Sequence, residues 1–254
     1  MFDDLKDKVV LITGASSGIG AAAARAFGGA GARVAVHYHA SVAQARQVAA
    51  DVVTAGGEAA LFQADAMRRD ELVGLIDEVL RHFGRIDVLV NNAGNVFERK
   101  PFVDCDEAFV DAILQLNVRS VVTLCRAIVP VFRAQGGGNI INVTSIAARN
   151  GGGPGVVLYA ATKGFISTFT RGLAKELVGD GVRVNAVAPG VITTPLHDRH
   201  TPPATLAALR ATIPMGRLGT AQECAGAFLY LASDAASSYV TGQVIEVNGG
   251  QLMP

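Results

Sequence analysis

The sequence predicts an α/β fold in which a parallel sheet is covered by helices on both faces. Short apolar runs alternate with helix-like segments along the whole chain, and such alternation joins parallel strands through right-handed crossovers. Half of the 254 residues are hydrophobic, enough to bury a substantial core within one unit. No linker, low-complexity tract or repeat divides the chain, because Gly136-Gly137-Gly138 and Gly151-Gly152-Gly153 read as short turns flanking one strand. A single domain over residues 1–254 is therefore expected.

Seven strands are expected, at residues 9–12, 33–38, 59–63, 88–90, 139–143, 183–186 and 244–247. The first is a continuous apolar run that breaks into Thr13-Gly14-Ala15-Ser16-Ser17-Gly18-Ile19-Gly20 ahead of an alanine-rich helix. Strand, glycine turn and helix together make a phosphate cradle, since glycine permits close backbone approach and helix-start N–H groups favour an anion. The second strand ends at Tyr38, followed by His39 and Ser41; the third is followed by Asp65 and Ala66. The fourth runs into Asn91-Asn92-Ala93-Gly94, which read alone is a turn. The fifth ends in hydroxyls at Thr144 and Ser145, at the carboxyl end where open α/β sheets bind ligands. The sixth leads to Pro189-Gly190-Val191-Ile192-Thr193-Thr194.

After the fifth strand, Tyr159-Ala160-Ala161-Thr162-Lys163 places a phenol and an ammonium on one helical face. At about 5 Å and an effective dielectric near 20, the attraction for a phenolate is about 3 kcal/mol, or roughly two pKa units. That moves a tyrosine from about 10 toward neutrality, where it exchanges protons with a substrate oxygen. Ser145 is positioned to meet Tyr159 across the crevice.

Composition bounds the partners. Lys+Arg and Asp+Glu number 22 each, and no basic cluster offers a track for nucleic acid. The N-terminal stretch lacks the apolar core of a signal peptide, and Arg126 interrupts the apolar run from Val121 to Phe132, so no membrane span is expected. Cys105, Cys125 and Cys224 are scattered without ligand spacing, which fits reduced thiols in the cytoplasm. His37 and His39 alternate on a strand and His197 and His200 lie in a polar stretch; neither pair has a third ligand nearby, so no metal site is expected.

Taken together, Thr-Gly-x3-Gly-x-Gly, Asn91-Asn92-Ala93-Gly94, Asn117, Ser145, Tyr-x3-Lys and Pro189-Gly190 closely resemble the short-chain dehydrogenase/reductase family, in that family's order and over nearly the whole chain. The resemblance implies a Rossmann-like, doubly wound order with the first three strands running one way from the first and the rest the other. It implies hydride exchange between NADP(H) or NAD(H) and a small-molecule ketone or secondary alcohol, with Asn117, Ser145, Tyr159 and Lys163 catalytic. Tyr159 and Lys163 also contact the cofactor, Lys163 at the nicotinamide ribose, and Asn117 kinks its helix and holds a proton-relaying water. Gly14, Ser16, Ser17, Gly18, Ile19 and Gly20 hold the phosphates; Asn92, Ala93 and Gly94 pass close to the nicotinamide ribose; Pro189, Gly190, Ile192 and Thr194 fix the carboxamide. Asp65, with Ala66, meets the adenine amino group or else caps the following helix.

Where NAD-dependent relatives place an acid on the ribose, this chain has Tyr38, His39 and Ser41, so NADP is preferred, with NAD or dual use as the alternative. Ser17 stands where NADP-preferring relatives often carry Arg or Lys. Thirteen residues separate Ser145 from Tyr159, one more than in many relatives, which suggests an insertion in the loop 150–155. The polar, proline-containing stretch 196–203 and a short helix at 204–211 are expected to form the substrate lid. The resemblance also implies a homotetramer, or a homodimer, paired through helices around 117–132 and 159–178. A 3-oxoacyl-acyl-carrier-protein reductase is the alternative activity, disfavoured by the absence of basic side chains at Gln135-Gly136-Gly137 and Gly179-Asp180. A non-catalytic nucleotide-binding regulator is the alternative of a different class.

Overall fold

The computed structural model describes residues 2–253, apart from the side chains of His197 and Asp198. Its first half runs β1 (Val9–Ile12), α1 (Gly18–Gly29), β2 (Arg33–Tyr38), α2 (Val42–Thr54), β3 (Glu58–Gln63), α3 (Arg69–Phe83) and β4 (Val88–Asn91). A long helical segment follows, made of α4 (Glu107–Leu114), a π turn (Gln115–Arg119) and α5 (Ser120–Gln135). Next come β5 (Gly138–Val143), α6 (Ala147–Asn150), α7 (Val157–Leu177) and β6 (Val182–Pro189). The remainder is β7 (Ile192–Thr193), α8 (Pro195–His200), α9 (Pro203–Ala211), β8 (Gly219–Thr220), α10 (Ala221–Ala232), α11 (Asp234–Ser237) and β9 (Val244–Val247).

Seven strands pair in parallel in the order β3-β2-β1-β4-β5-β6-β9, the doubly wound arrangement expected. The winding reverses between β1 and β4, which leaves a crevice beyond their carboxyl ends. All four residues of β1 are buried, as a central parallel strand covered on both faces requires. One face packs against α1, α2 and α10 through Val10, Ile12, Phe27, Val48 and Phe228; the other packs against α3, α5 and α7 through Leu11, Leu75, Leu124, Ile140 and Ile166. Each such side chain stabilises the fold by about 1.5–3 kcal/mol when fully buried.

The strand boundaries depart from expectation mainly at β6, which runs on to Pro189 because its later residues pair with β9. A separate two-residue ladder, Ile192 with Gly219 and Thr193 with Thr220, was not foreseen, and two residues are too few to leave an alternation signal. The polar stretch expected over 196–203 is largely helical, as α8 begins at Pro195, with proline at a helix start, where its fixed φ and missing N–H cost nothing.

The segment Glu107–Gln135 is apolar and long enough, by length and composition, to cross a bilayer. Here it lies along the sheet with Leu124, Ile128 and Phe132 buried in the core, and it carries Arg119, Arg126 and Arg133. That is the pattern of a layer helix in an α/β fold, with apolar surface left for a further contact.

Candidate active site

The crevice at the strand carboxyl ends is a cleft of about 930 Å³. At one end the chain leaving β1 turns into α1. Gly14 adopts φ +63°, and a Cβ there would lie 3.1 Å from the Ala93 Cα, so the turn requires glycine. A Cβ on Gly20 would stand 2.5 Å from Asn92 Nδ2 and 2.6 Å from the Gly14 carbonyl oxygen, so Gly20 lets α1 close onto the loop rather than facing the cleft itself. Asn92 locks this turn by donating from Nδ2 to the Thr13 and Gly14 carbonyls at 2.8 and 3.2 Å. Thr13 Oγ1 in turn accepts from the Asn92 and Ala93 N–H groups.

Gly14, Ser16, Ser17, Gly18 and Ile19 line the cleft. Ser17 begins α1 without a side-chain cap, and the first turn carries no acid, so the first N–H groups lack a partner and their dipoles favour an anion. This cradle fits the diphosphate of a dinucleotide. Thr194 closes it from across the cleft, its Cγ2 3.5 Å from where a Gly18 Cβ would sit.

Tyr159 and Lys163 lie on one face of α7, as their spacing requires, with the Lys163 Nζ 5.7 Å from the centre of the Tyr159 ring. The Tyr159 phenol lies beside Ser145, which follows β5 and whose hydroxyl lowers the phenol's pKa. Ser145 Oγ also accepts from the Ala147 N–H at 3.1 Å, which fixes the hydroxyl at the start of α6. All three residues line the cleft. A buried polar chain ties α7 to the sheet beneath them: Asn91 donates to Asn142, and Asn142 donates to Thr170 on α7, each at 2.9 Å. Lys163 is buried and donates to the Val143 carbonyl at 2.8 Å.

One electrostatic expectation is overturned. Burial pushes the Tyr159 phenol above its ordinary value, only partly opposed by the Ser145 hydroxyl, and pushes the Lys163 amine down to about 8. The attraction between the pair was weighed from spacing alone, without the cost of burying each charge, and here that cost is the larger effect.

Asn117 is buried in the π turn and does not line the cleft. Its Oδ1 accepts from the Asn95 N–H at 2.9 Å and its Nδ2 donates to the Asn95 carbonyl at 2.8 Å, so both polar ends of the amide pin the loop after β4. A Cβ on Gly94 would lie 2.9 Å from Asn117 Oδ1 and 3.3 Å from Lys163 Nζ, which brings Asn117, Gly94 and Lys163 into one tight cluster. Ala93 and Gly94 line the cleft beside Asn92, and Pro189, Gly190 and Ile192 line it opposite.

At the far end, His39, Ser41, Asp65 and Ala66 line the cleft, but Tyr38 does not. As the last residue of β2, Tyr38 packs against the core on the α1 and α2 side and does not join the donor group expected on the cleft wall. Asp65 is not a helix cap. Arg68 precedes α3, while Asp65 Oδ1 accepts from the Met67 N–H at 2.9 Å and Oδ2 lies 3.9 Å from His39 Nε2.

Three cleft residues were missed from sequence. His37 accepts from the Gly14 N–H through Nδ1 at 3.0 Å and meets the Ala64 carbonyl through Nε2 at 3.0 Å, which fixes the Nε2–H tautomer. Burial holds its pKa down to about 4, so it is neutral and supports the glycine turn. Phe97 has φ +59°, a strained backbone for an aromatic residue and of the kind that collects at functional sites. Arg99 reaches from the loop after β4 to the Pro154 carbonyl at 3.1 Å and the His200 carbonyl at 2.9 Å, joining the loop 150–155 to the α8 end of the lid. None of the three belongs to a local motif: His37 lies within β2, and Phe97 and Arg99 lie in the loop after β4.

A family model described as enoyl-(acyl carrier protein) reductase matches residues 14–251. The chain is 40% identical to a 3-oxoacyl-acyl-carrier-protein reductase of Synechocystis sp. over 253 residues, 98% of each protein. It is 39% identical to the corresponding reductase of Thermotoga maritima over 98% of this chain and 99% of that one. Among solved structures, an NADH-dependent reductase A1-R' complexed with NAD superposes with a TM-score of 0.89 over the full length of both chains, at 39% identity. The cradle, the Ser145-Tyr159-Lys163 cluster and these matches have one meaning: the chain belongs to the short-chain dehydrogenase/reductase family and is an oxidoreductase that works with a nicotinamide dinucleotide on C=O and CH–OH groups.

Proposed function

We propose that the chain, acting as one catalytic domain, reduces a small-molecule ketone or oxidises the matching secondary alcohol, with Tyr159 exchanging the proton. The observation that carries this reading is the Ser145–Tyr159 pair on the cleft wall, with Lys163 alongside and the phosphate cradle in the same cleft. When bound, the nicotinamide supplies or accepts the hydride. Ser145 Oγ and the Tyr159 hydroxyl hold the substrate oxygen, and the phenol gives up its proton as negative charge develops there. A phenol held above its ordinary value is fully protonated at neutral pH, which suits the reducing direction. Lys163, with a value of about 8, is mostly an ammonium at pH 7 and stabilises the phenolate left behind. Asn117 acts as a positioning residue, holding the 94–95 loop against Lys163.

For the cofactor, Gly14, Ser16, Ser17, Gly18 and Ile19 hold the diphosphate, with Gly20 shaping the turn. Asn92, Ala93, Gly94 and Lys163 meet the nicotinamide ribose, and Pro189, Gly190, Ile192 and Thr194 meet the carboxamide. NADP is preferred, because the end of β2 has no carboxylate and His39 and Ser41 remain on the cleft wall as donors. NAD is the second reading, favoured by the acid Asp65 close to His39 and by the NADH dependence of the A1-R' relative.

A free small molecule is favoured over an acyl-carrier-protein thioester. Arg133, a cation beside the position where a carrier docks, is paired to Asp180 at 2.8 Å, so its field on an acidic partner is cancelled. Nicotinamide absorbance followed with a panel of ketones and alcohols, once with each cofactor, tests the reading; turnover faster with NADP is expected. A chain that binds cofactor yet turns over no carbonyl compound or alcohol would instead be a nucleotide-binding regulator.

The protein is proposed to act in the cytoplasm, in keeping with three free cysteines, two of them buried. It is proposed to assemble as a homotetramer. On α7, Val157 and Phe165 are exposed, with Phe165 stacked on Phe169, and the Glu107–Gln135 segment keeps apolar surface uncovered. Tyr239 and Met253 are also exposed, far along the chain and suited to a second contact. Light scattering should give about four times the single-chain mass; a monomer would reject the assignment.

A further inference from the structure

Arg99 has a chemical environment that its packing does not explain. Its guanidinium carries five N–H donors, and the acceptors facing it are neutral: the His200 carbonyl at 2.9 Å from Nε, the Pro154 carbonyl at 3.1 Å from Nη1 and the Thr201 hydroxyl at 3.5 Å from Nη2. Among the described residues no carboxylate pairs with it. Its neighbour Lys100, by contrast, has Asp106 at 3.7 Å. Partial burial depresses the Arg99 pKa, the sign of a cation short of compensating charge. Arginine stays charged under all ordinary conditions, so this is a fixed positive charge in the cleft wall with two N–H groups to offer.

The surroundings say which end of the cleft it serves. Arg99 lines the cleft with Gly152, Gly153, Val156, His200 and Leu209, from the loop before α7 and from the lid, all distant in sequence from the phosphate cradle. A Cβ on Gly153 would stand 3.9 Å from Nη1, so glycine there leaves the guanidinium uncovered. The only acid among the described lining side chains is Asp65, at the opposite end beside His39. The substrate end is therefore cationic, with Arg99 and Lys163 as its charges and no described acid to oppose them.

We propose that Arg99 is the residue that selects the substrate, by taking a substrate carboxylate on the guanidinium while the carbonyl lies against Ser145 and Tyr159. The substrate class is then an oxo acid, reduced to the hydroxy acid, an assignment that rests on the reaction proposed above. Two parallel N–H···O bonds from a planar fork fix the orientation of a carboxylate as an ammonium cannot. Because Arg99 also holds the Pro154 and His200 carbonyls, a carboxylate bound there touches the junction of the loop 150–155 with the lid, and an acidic ligand is favoured where the lid closes.

The test compares short oxo acids, namely pyruvate, levulinate and ketogluconate, each against its methyl ester, in the wild type, Arg99→Gln and Arg99→Lys. The wild type should prefer at least one acid over its ester in kcat/KM by about 10-fold or more, through KM. Arg99→Gln should lower that acid-to-ester ratio by roughly 10- to 100-fold, and Arg99→Lys should restore part of it. Inhibition of the wild type by hydroxy acids that weakens with added salt supports the same assignment without any variant. An acid-to-ester ratio that survives Arg99→Gln, or equal losses on acid and ester, would mean that Arg99 only ties loops together, and overturns the proposal. Turnover of esters and neutral ketones with no acid accepted overturns it while the proposed reaction stands. A wild type inert on every carbonyl compound overturns both.

Discussion

Replacing Tyr159 by phenylalanine should lower turnover by a factor of about 10² or more and leave cofactor binding intact. The substitution removes one oxygen from the cleft wall. The ring that packs on α7 remains, the Asn91-Asn142-Thr170 chain beneath it is untouched, and Ser145 still accepts from the Ala147 N–H. The cradle is built from the Thr13, Gly14 and Asn92 interactions, which do not involve Tyr159, so a cofactor titration should match the wild type. The pH profile supplies a second readout. Burial holds the phenol above its ordinary value, so wild-type kcat/KM for alcohol oxidation, which needs the phenolate, should rise through the alkaline range. The reducing direction needs the phenol and should be flat through neutrality, and the alkaline ionisation should vanish from the variant. Wild-type turnover in Tyr159→Phe would remove the assigned role.

The parts of this site that could be read in the sequence are those whose geometry is local. Four-residue spacing on a helix fixes the Tyr159 and Lys163 placement whatever surrounds them, and an apolar run breaking into glycines fixes strand, turn and helix start at Val9 to Gly20. The parallel sheet followed from alternation, but its strand order needed the family resemblance, because periodicity along a strand carries nothing about its neighbour. What escaped depends on contacts between distant segments. Tyr38 sits at a strand end where either face was open to it, and only packing against the core decided that it does not line the cleft. His37, two positions from His39, looked like an ordinary strand histidine, yet its Nδ1 holds Gly14, 23 residues away. Arg99 joins chain positions 55 and 101 residues apart, a relation that no window along the sequence contains. The balance of pKa effects at Tyr159 failed for the same reason: the distance to Lys163 is local, whereas burial is a property of the whole fold.

Lys163→Met should separate activity from stability in opposite directions. Without the ammonium, the phenolate loses an attraction of about 3 kcal/mol at a separation near 5 Å, roughly a 10² loss in turnover. Stability responds to the same charge with the other sign. In the unfolded chain the amine titrates near its ordinary 10.5, whereas in the folded chain it titrates at about 8 because burial penalises the ammonium. Between those pH values the unfolded state binds more protons, so the folded state is favoured as pH rises. The Lys163 contribution is thus at its best above about pH 10.5, declines as pH falls, and below about pH 8 stands at a cost of about 3 kcal/mol. Methionine removes that cost and leaves the Val143 carbonyl without its donor, a penalty of about 1–3 kcal/mol. At pH 7 the cofactor-free variant should therefore melt no lower than the wild type, and at pH 10 it should melt below it. The gap between the two curves should move by roughly 4–12 °C across that range, since between about 2 and 3 kcal/mol of that cost is relieved from pH 7 to 10 in a chain of this size. Melting curves that keep a constant separation from pH 7 to 10 would mean that Lys163 is not held in a place hostile to its charge. In that case the lysine serves the phenolate without any sacrifice of stability, and the trade-off argued here is wrong.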